Sequence, residues 1–155
     1  MERVALILIF QLIVVPDSSP IISYVGRWGD SDAATQFYTN GTFHFTNEIG
    51  ASANLGFNGT AVYLYGALRG NHDEYTVTLD GKNSTANGHT DANPGEFNYT
   101  LFASGPLDSG LHTVSLTNTP KGSGKYVDLD WAVITIGDGN TRCDDYTKNT
   151  WTPDC

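Results

Sequence analysis

A chain of 155 residues with 39% hydrophobic and 12% aromatic content has enough material for one domain with a core of its own. Its net charge of −9, from 8 Lys and Arg against 17 Asp and Glu, excludes a basic stripe able to neutralise nucleic-acid phosphates. Two cysteines exclude a disulfide-dense scaffold, and the 4 histidines show no His-x-x-x-His or Cys-x-x-Cys grouping for zinc.

From the N-terminus, the polar opening Met1-Glu2-Arg3 precedes a run from Val4 to Val15 that is apolar except for Gln11. Such a run is shorter than the roughly 20 helical residues a bilayer requires, and the layout is that of a secretory leader. Residues 1–19 are therefore expected to be a signal peptide cleaved among Pro16 to Pro20, the alternative being a buried N-terminal strand or an uncleaved anchor. No membrane span is expected in this chain.

Period-two alternation, the mark of half-buried strands, then recurs without helical spacing. After a possible strand at Ile21 to Val25, it covers Thr42 to Thr46, Ser52 to Asn58, Ala61 to Ala67 and Tyr75 to Asp80. It returns, weakly, at Asn83 to Gly88, and clearly at Phe97 to Ser104, Leu111 to Asn118 and Tyr126 to Ile136. Asn58-Gly59 and Asp80-Gly81 suit tight hairpins, and Asp108-Ser-Gly110 and Gly122-Ser-Gly124 punctuate the later runs. The pattern predicts an all-β antiparallel sandwich, a jelly roll of about eight strands over residues 20–137. Its inward positions include Phe43, Leu55, Phe57, Val62, Leu64, Val77, Phe97, Tyr99, Leu101, Val114, Leu116, Val127, Leu129, Trp131 and Val133.

Beyond Gly137 the alternation dissolves into a polar tail, 138–155, where Cys143 and Cys155 are expected to pair locally. Four triplets, at Asn40, Asn58, Asn83 and Asn98, have the form of N-glycosylation acceptors, whereas Asn118-Thr-Pro120 does not. With the leader they predict a secreted or cell-surface glycoprotein.

The strings Phe57-Asn-Gly-Thr-Ala-Val-Tyr-Leu-Tyr-Gly66, Asn71-His-Asp-Glu-Tyr-Thr-Val-Thr-Leu-Asp-Gly81, Gly110-Leu-His-Thr-Val-Ser-Leu-Thr-Asn118 and Val127-Asp-Leu-Asp-Trp131 resemble galactose-binding-domain-like jelly rolls. The likeness is greatest to those of extracellular fungal proteins and more distant to carbohydrate-binding modules of glycosidases, and it spans roughly Tyr24 to Gly137. It implies the fold more than any ligand. Calcium-dependent relatives carry an acidic N-terminal strand that joins a C-terminal aspartate around Ca²⁺. Here that region reads Ile21-Ile-Ser-Tyr-Val-Gly-Arg-Trp28, with no acid until Asp30. Asp128 and Asp130 alone are too few ligands for a hard cation, so they are expected as solvated or hydrogen-bonded groups on the face opposite Trp131. No cofactor is expected in preference to a structural calcium.

If every run reverses direction, Asn40, Asn58-Gly59, 80–83 and 105–110 share one end of the sandwich, and 47–51, 67–74, 88–96 and 119–125 share the other. Glycans crowd the first end. The second offers Arg69, Asn71, His72, Asp73, His89, Asp91 and Tyr126, with Asn93, Glu96 and Lys121 nearby, as a ligand-binding set of planar polar groups. Tyr63 and Tyr65 are the candidate aromatic platform. No catalytic residue is assigned: Asp73 and Glu74 diverge on a strand, Asp128 and Asp130 share a face without a cleft, and no nucleophile elbow occurs. The expected function is a non-catalytic extracellular carbohydrate-binding or surface-recognition module, its partner a glycan or cell-surface or cell-wall component. The alternatives are a structural or adhesive domain without a small ligand and, third, an accessory module of a glycoside hydrolase.

Overall fold

The alternating runs fold as antiparallel strands, and the chain passes repeatedly between two facing sheets. The computed structural model describes residues 5–7, 10–30, 34–137, 142–145 and 150–152, with side chains described over 10–30 and 34–137. In chain order the strands are β1 (Ala5–Ile7), β2 (Phe10–Pro16), β3 (Ile22–Val25), β4 (His44–Thr46), β5 (Ser52–Gly59), β6 (Ala61–Leu68) and β7 (Glu74–Leu79). There follow β8 (Lys82–Asn87), β9 (Glu96–Ala103), β10 (Gly110–Asn118), β11 (Val127–Leu129), β12 (Trp131–Gly137), β13 (Arg142–Asp145) and β14 (Thr150–Thr152), and two 3₁₀ turns lie at Thr35–Phe37 and Thr39–Gly41. One layer is the five-stranded sheet β3-β5-β10-β7-β8; the other is β2-β12-β6-β9, with the short pair β11-β4 beside it. This is an antiparallel β-sandwich of jelly-roll type. β13 pairs with β1 and β14 in a separate sheet, and the expected Cys143–Cys155 disulfide lies outside the described residues.

The core lies between the sheets, where Leu55, Phe57, Val62, Leu64, Val77, Val114, Leu116 and Ile134 are all buried. Each such side chain contributes about 1.5–3 kcal/mol before conformational entropy is subtracted. A second cluster, Ala34, Tyr38, Phe43 and Ala67, with Phe45 and Phe97 against it, sits under the segment that carries the 3₁₀ turns.

Four expectations are corrected. The run Tyr126 to Ile136 is two strands, because Asp130 leaves the ladder between them and donates its N–H to the Tyr65 carbonyl at 2.8 Å. That break shifts the alternation: Ala132 and Ile134 face the core, and Trp131 is half-buried, stacked on Tyr65 at 4.1 Å. Tyr99 is likewise 40% exposed, since β9 slips register against β6 around Asn98, which has φ +53°. Asn58-Gly59 is not a hairpin but the corner where the chain crosses from one sheet to the other. There a Cβ on Gly59 would come within 2.6 Å of the Thr135 carbonyl. Asp80-Gly81, with φ +48° and +79°, does form the tight β7–β8 hairpin.

Phe10–Pro16, read from sequence as part of a leader, pairs with β12 from Gly137 to Trp131, with Val15 its one buried residue. The residue after it is an anchor that sequence reading missed. Asp17 is 1% exposed, accepts from Thr42 Oγ1 at 2.7 Å, meets His44 Nδ1 at 2.7 Å and donates its N–H to the Asp130 carbonyl at 3.0 Å.

Removing the Asp17 carboxylate strands the Thr42 and His44 donors, so Asp17→Ala should lower unfolding free energy in urea by about 2–3 kcal/mol. Glycine requirements should divide sharply in the same assay. Gly59→Ala meets backbone and should cost about 1–3 kcal/mol, whereas Gly56→Ala, with nothing within 4 Å of the added carbon, should stay within about 0.5 kcal/mol of wild type.

Candidate functional site

The loops 69–73, 88–95 and 119–126 converge at one end of the sandwich, as the direction of the strands requires, and backbone hydrogen bonds tie them together. Arg69 N donates to Gly88 O at 3.0 Å, Gly88 N to Asp73 O at 2.9 Å, and Lys125 N to Asn71 O at 2.9 Å. Gly122 and Gly124 permit the close approach: a Cβ on Gly124 would overlap the His72 carbonyl at 2.0 Å. Asp73 uses its carboxylate to hold this junction, accepting from Glu74 N at 2.7 Å and Gly122 N at 2.6 Å. The Glu74 N–H first, and then that of Gly122, hold its pKa below the usual carboxylate range.

Of the residues singled out in the sequence, Asn71, His89 and Asp91 are exposed at this end, and Arg69 and Tyr126 are half-buried. His89 Nε2 lies 3.2 Å from Asp91 Oδ1, and the Tyr126 hydroxyl accepts from Asn47 Nδ2 at 3.4 Å. His72 is different. At 2% exposure its ring is turned into the protein, with Nδ1 3.0 Å from the Ala67 carbonyl and Nε2 3.4 Å from Asp128 Oδ2, so it positions the loop from beneath and does not reach the surface. All four acceptor asparagines, Asn40, Asn58, Asn83 and Asn98, are exposed.

Asp128 was expected as a solvated or hydrogen-bonded group, and it is the hydrogen-bonded one. It is fully buried, because β11 is covered on one side by β6 and on the other by the segment carrying the 3₁₀ turns. Its Oδ1 accepts from Ala67 N at 2.8 Å and its Oδ2 from the Tyr38 hydroxyl. A Cβ on Gly66 would lie 2.6 Å from that Oδ1, so the glycine is what lets the carboxyl approach β6. Burial pushes the Asp128 pKa up to about 7 against the opposing pull of Tyr38, Ala67 N–H and Arg69. Asp130 is also buried, takes the Thr39 N–H at 3.0 Å, and keeps one oxygen without a hydrogen bond. The donors already on Asp17, Asp128 and Asp130 do not match the six to eight oxygens of a calcium shell. Among the described residues no group of three or more His, Cys, Asp or Glu is arranged to hold a metal ion.

Of the two candidate platform rings, Tyr63 and Tyr65, both half-buried, the second is engaged by another ring. Tyr65 stacks on Trp131, whose indole N–H donates to Asn98 Oδ1 at 3.1 Å, a clasp across β12, β6 and β9. An exposed aromatic ring stands on the 3₁₀ segment at Phe37. It is 42% exposed and stacks at 4.9 Å on Phe97, whose other contact is the edge of Tyr38 at 5.1 Å. Gly95 bridges Phe97 to the Arg69 stem: its Cβ position lies 3.4 Å from the ring and 3.2 Å from Arg69 Cγ. Phe37 carries no periodic signal, because a 3₁₀ turn between unpaired segments has none to give. Phe97, expected inward, is half-buried and packs against the second core cluster.

No family model matches the chain. Over 103 residues it is 34% identical to an A type blood N-acetyl-alpha-D-galactosamine deacetylase of Flavonifractor plautii. It is 31% identical over 103 residues to an A type blood alpha-D-galactosamine galactosaminidase of the same organism. These matches take in 66% of this chain, which spans only 13% and 9% of the two curated relatives. Among solved structures, a two-domain esterase active on acetylated mannans superposes with a TM-score of 0.60 at 14% identity, over 81% of this chain and 37% of that one. A family 35 carbohydrate-binding module from an environmental isolate superposes with a TM-score of 0.55 at 18% identity, over 81% of this chain and 93% of the module. The fold is thus one shared by a carbohydrate-binding module and by domains of carbohydrate-active enzymes.

The buried Asp128 carboxyl sets a pH dependence. Its folded pKa of about 7 lies above the unfolded value of 3.8, so the folded chain binds the proton more tightly. The stability this contributes is complete below the unfolded pKa and is lost as pH rises through the folded one. Unfolding free energy measured in urea should therefore decline between pH 4 and 7 more steeply in wild type than in Asp128→Asn, whose amide keeps the Ala67 N–H bond without titrating. Equal slopes would remove Asp128 as the titrating group.

Proposed function

We propose that the protein is a non-catalytic, extracellular carbohydrate-binding module whose ligand lies across the loop end, one pyranose ring on Phe37 and its hydroxyls toward Asn71, His89 and Asp91. The observation that carries this reading is the half-exposed Phe37 ring, braced on Phe97, which Gly95 links to the Arg69 stem of the loop end where Asn71, His89 and Asp91 are exposed. A sugar presents an apolar face and a polar rim, and an aromatic plane flanked by planar polar groups complements both.

Two further points support it. The carboxyls that a hydrolase would use are committed: Asp73 to two backbone N–H groups and Asp128 to the interior, neither facing a partner carboxyl across a cleft. The curated relatives are roughly ten times longer than the stretch they share with this chain, which suits an accessory module more than a catalytic centre. Their names carry galactosamine and its N-acetyl form, so alpha-linked N-acetylgalactosaminyl glycans come first among ligands to be tried, on a cell surface or a cell wall.

A glycan array probed with the secreted protein should show a defined set of bound glycans. Phe37→Ala should weaken binding about tenfold, the loss of about 1.4 kcal/mol of ring contact, and His89→Ala with Asn71→Ala should do at least as much. Binding undiminished in all these variants would remove the loop end from consideration, and an array without any bound glycan would remove the function.

A further inference from the structure

The outer face of the five-stranded sheet carries a shallow trough at the end remote from the loops. Cross-strand register aligns its outward residues in rows: Ser23, Asn54, Ser115 and Thr78 in one, Gly56 and Thr113 in the next, and Asn58 and Leu111 in the last. The floor is Gly56. Its φ is not positive and a Cβ there would meet nothing within 4 Å, so neither backbone conformation nor close packing calls for glycine. Its effect is to leave the floor open in a strand where a side chain would be favoured. One wall is Leu111, exposed at 84%, the most exposed large hydrophobic residue described. Hydroxyl and amide groups along the trough are held in place, Ser115 Oγ on Asn54 Oδ1 at 2.6 Å and Asn54 Nδ2 on Ser52 Oγ at 3.0 Å.

An open floor, a bare leucine and a fixed set of neutral hydrogen-bonding groups match the apolar face and polar rim of a sugar. The residue directly opposite Leu111 is Asn58, exposed, on the same face, and the acceptor of an Asn-Gly-Thr triplet. We propose that Asn58 carries an N-linked glycan whose innermost sugars lie in this trough, over Gly56 and against Leu111, as a fixed part of the folded surface. The linkage forms when Asn58 Nδ2 attacks the anomeric carbon of a lipid-linked oligosaccharide donor; the C1–O bond breaks, the lipid pyrophosphate leaves, and the amide gives up one N–H proton and keeps the other. The proposal rests on passage through a secretory pathway, and on nothing about the loop end.

The test uses the full chain secreted from a eukaryotic host, with glycopeptide mass spectrometry at Asn58 and hydroxyl-radical footprinting of Leu111. Asn58 should be occupied, and Leu111 oxidation should be several-fold lower than in Asn58→Gln or in enzymatically deglycosylated protein. Gly56→Tyr builds out from a position where a Cβ meets nothing within 4 Å, so it should fold and remain glycosylated, and the Leu111 difference between glycosylated and deglycosylated forms should vanish. An unmodified Asn58, or a modified one that leaves Leu111 as reactive as in Asn58→Gln, overturns the proposal, and neither result bears on glycan binding at the loop end.

Discussion

The loop end depends on one buried carboxyl. Asp128 binds an N–H of β6 with one oxygen and the Tyr38 hydroxyl with the other, and the His72 ring lies against it. A single side chain therefore fixes two pieces of chain far apart in sequence: the strand β6 with the loop that follows it and turns inward at His72, and the segment that presents Phe37. A carboxyl in an apolar interior is costly unless its hydrogen-bonding capacity is filled, so each of these groups is held to its place by the cost of leaving. Rotation of Tyr38 away from Asp128 would carry Phe97 and then Phe37 with it, because the three rings are in contact. The polar surface above is thus organised from below.

Much of the sandwich was legible in the sequence because alternation and turn chemistry report one face of a strand at a time. The Asp80-Gly81 hairpin and the strands flanking it illustrate this, as does the convergence of 69–73, 88–95 and 119–126, which follows from strand direction alone. The pattern loses its meaning where a strand is covered on both faces. β11 is buried at Val127, Asp128 and Leu129 alike, so an alternation rule places its aspartate in solvent when it lies in the interior. It also fails where the ladder slips or stops. The irregularity around Asn98 and the departure of Asp130 reverse the facing of Tyr99 and Trp131 relative to an unbroken strand. Phe37 and Asp17 lie outside any periodic run, and only the folded chain shows what they touch.

The two ends of the molecule differ in kind. At the loop end, polar side chains are tied to one another and to backbone. At the other end, the His112 ring bridges the Asp80 carboxylate at 2.6 Å and the Asp108 carbonyl at 2.7 Å, a closure of the β7–β8 hairpin on the loop before β10. The Asp108 carbonyl and the Asp80 carboxylate both favour the imidazolium and raise the His112 pKa. The fold is shared with a carbohydrate-binding module and with a domain of an esterase active on acetylated mannans.

The order in which strands enter the sheets has a consequence for biogenesis. β12 lies between β2 and β6, so the four-stranded sheet has no centre until nearly the last strand of the sandwich is made. During synthesis β2 waits with Val15 uncovered and its backbone unpaired, while β6 and β9 hold an open edge. Pairing between strands so distant in sequence is slow, and an apolar edge left waiting is prone to join another chain. Folding of this protein is therefore a race between arrival of β12 and intermolecular capture of β2, and chaperones that shield nascent strands should govern its yield more than its native stability does.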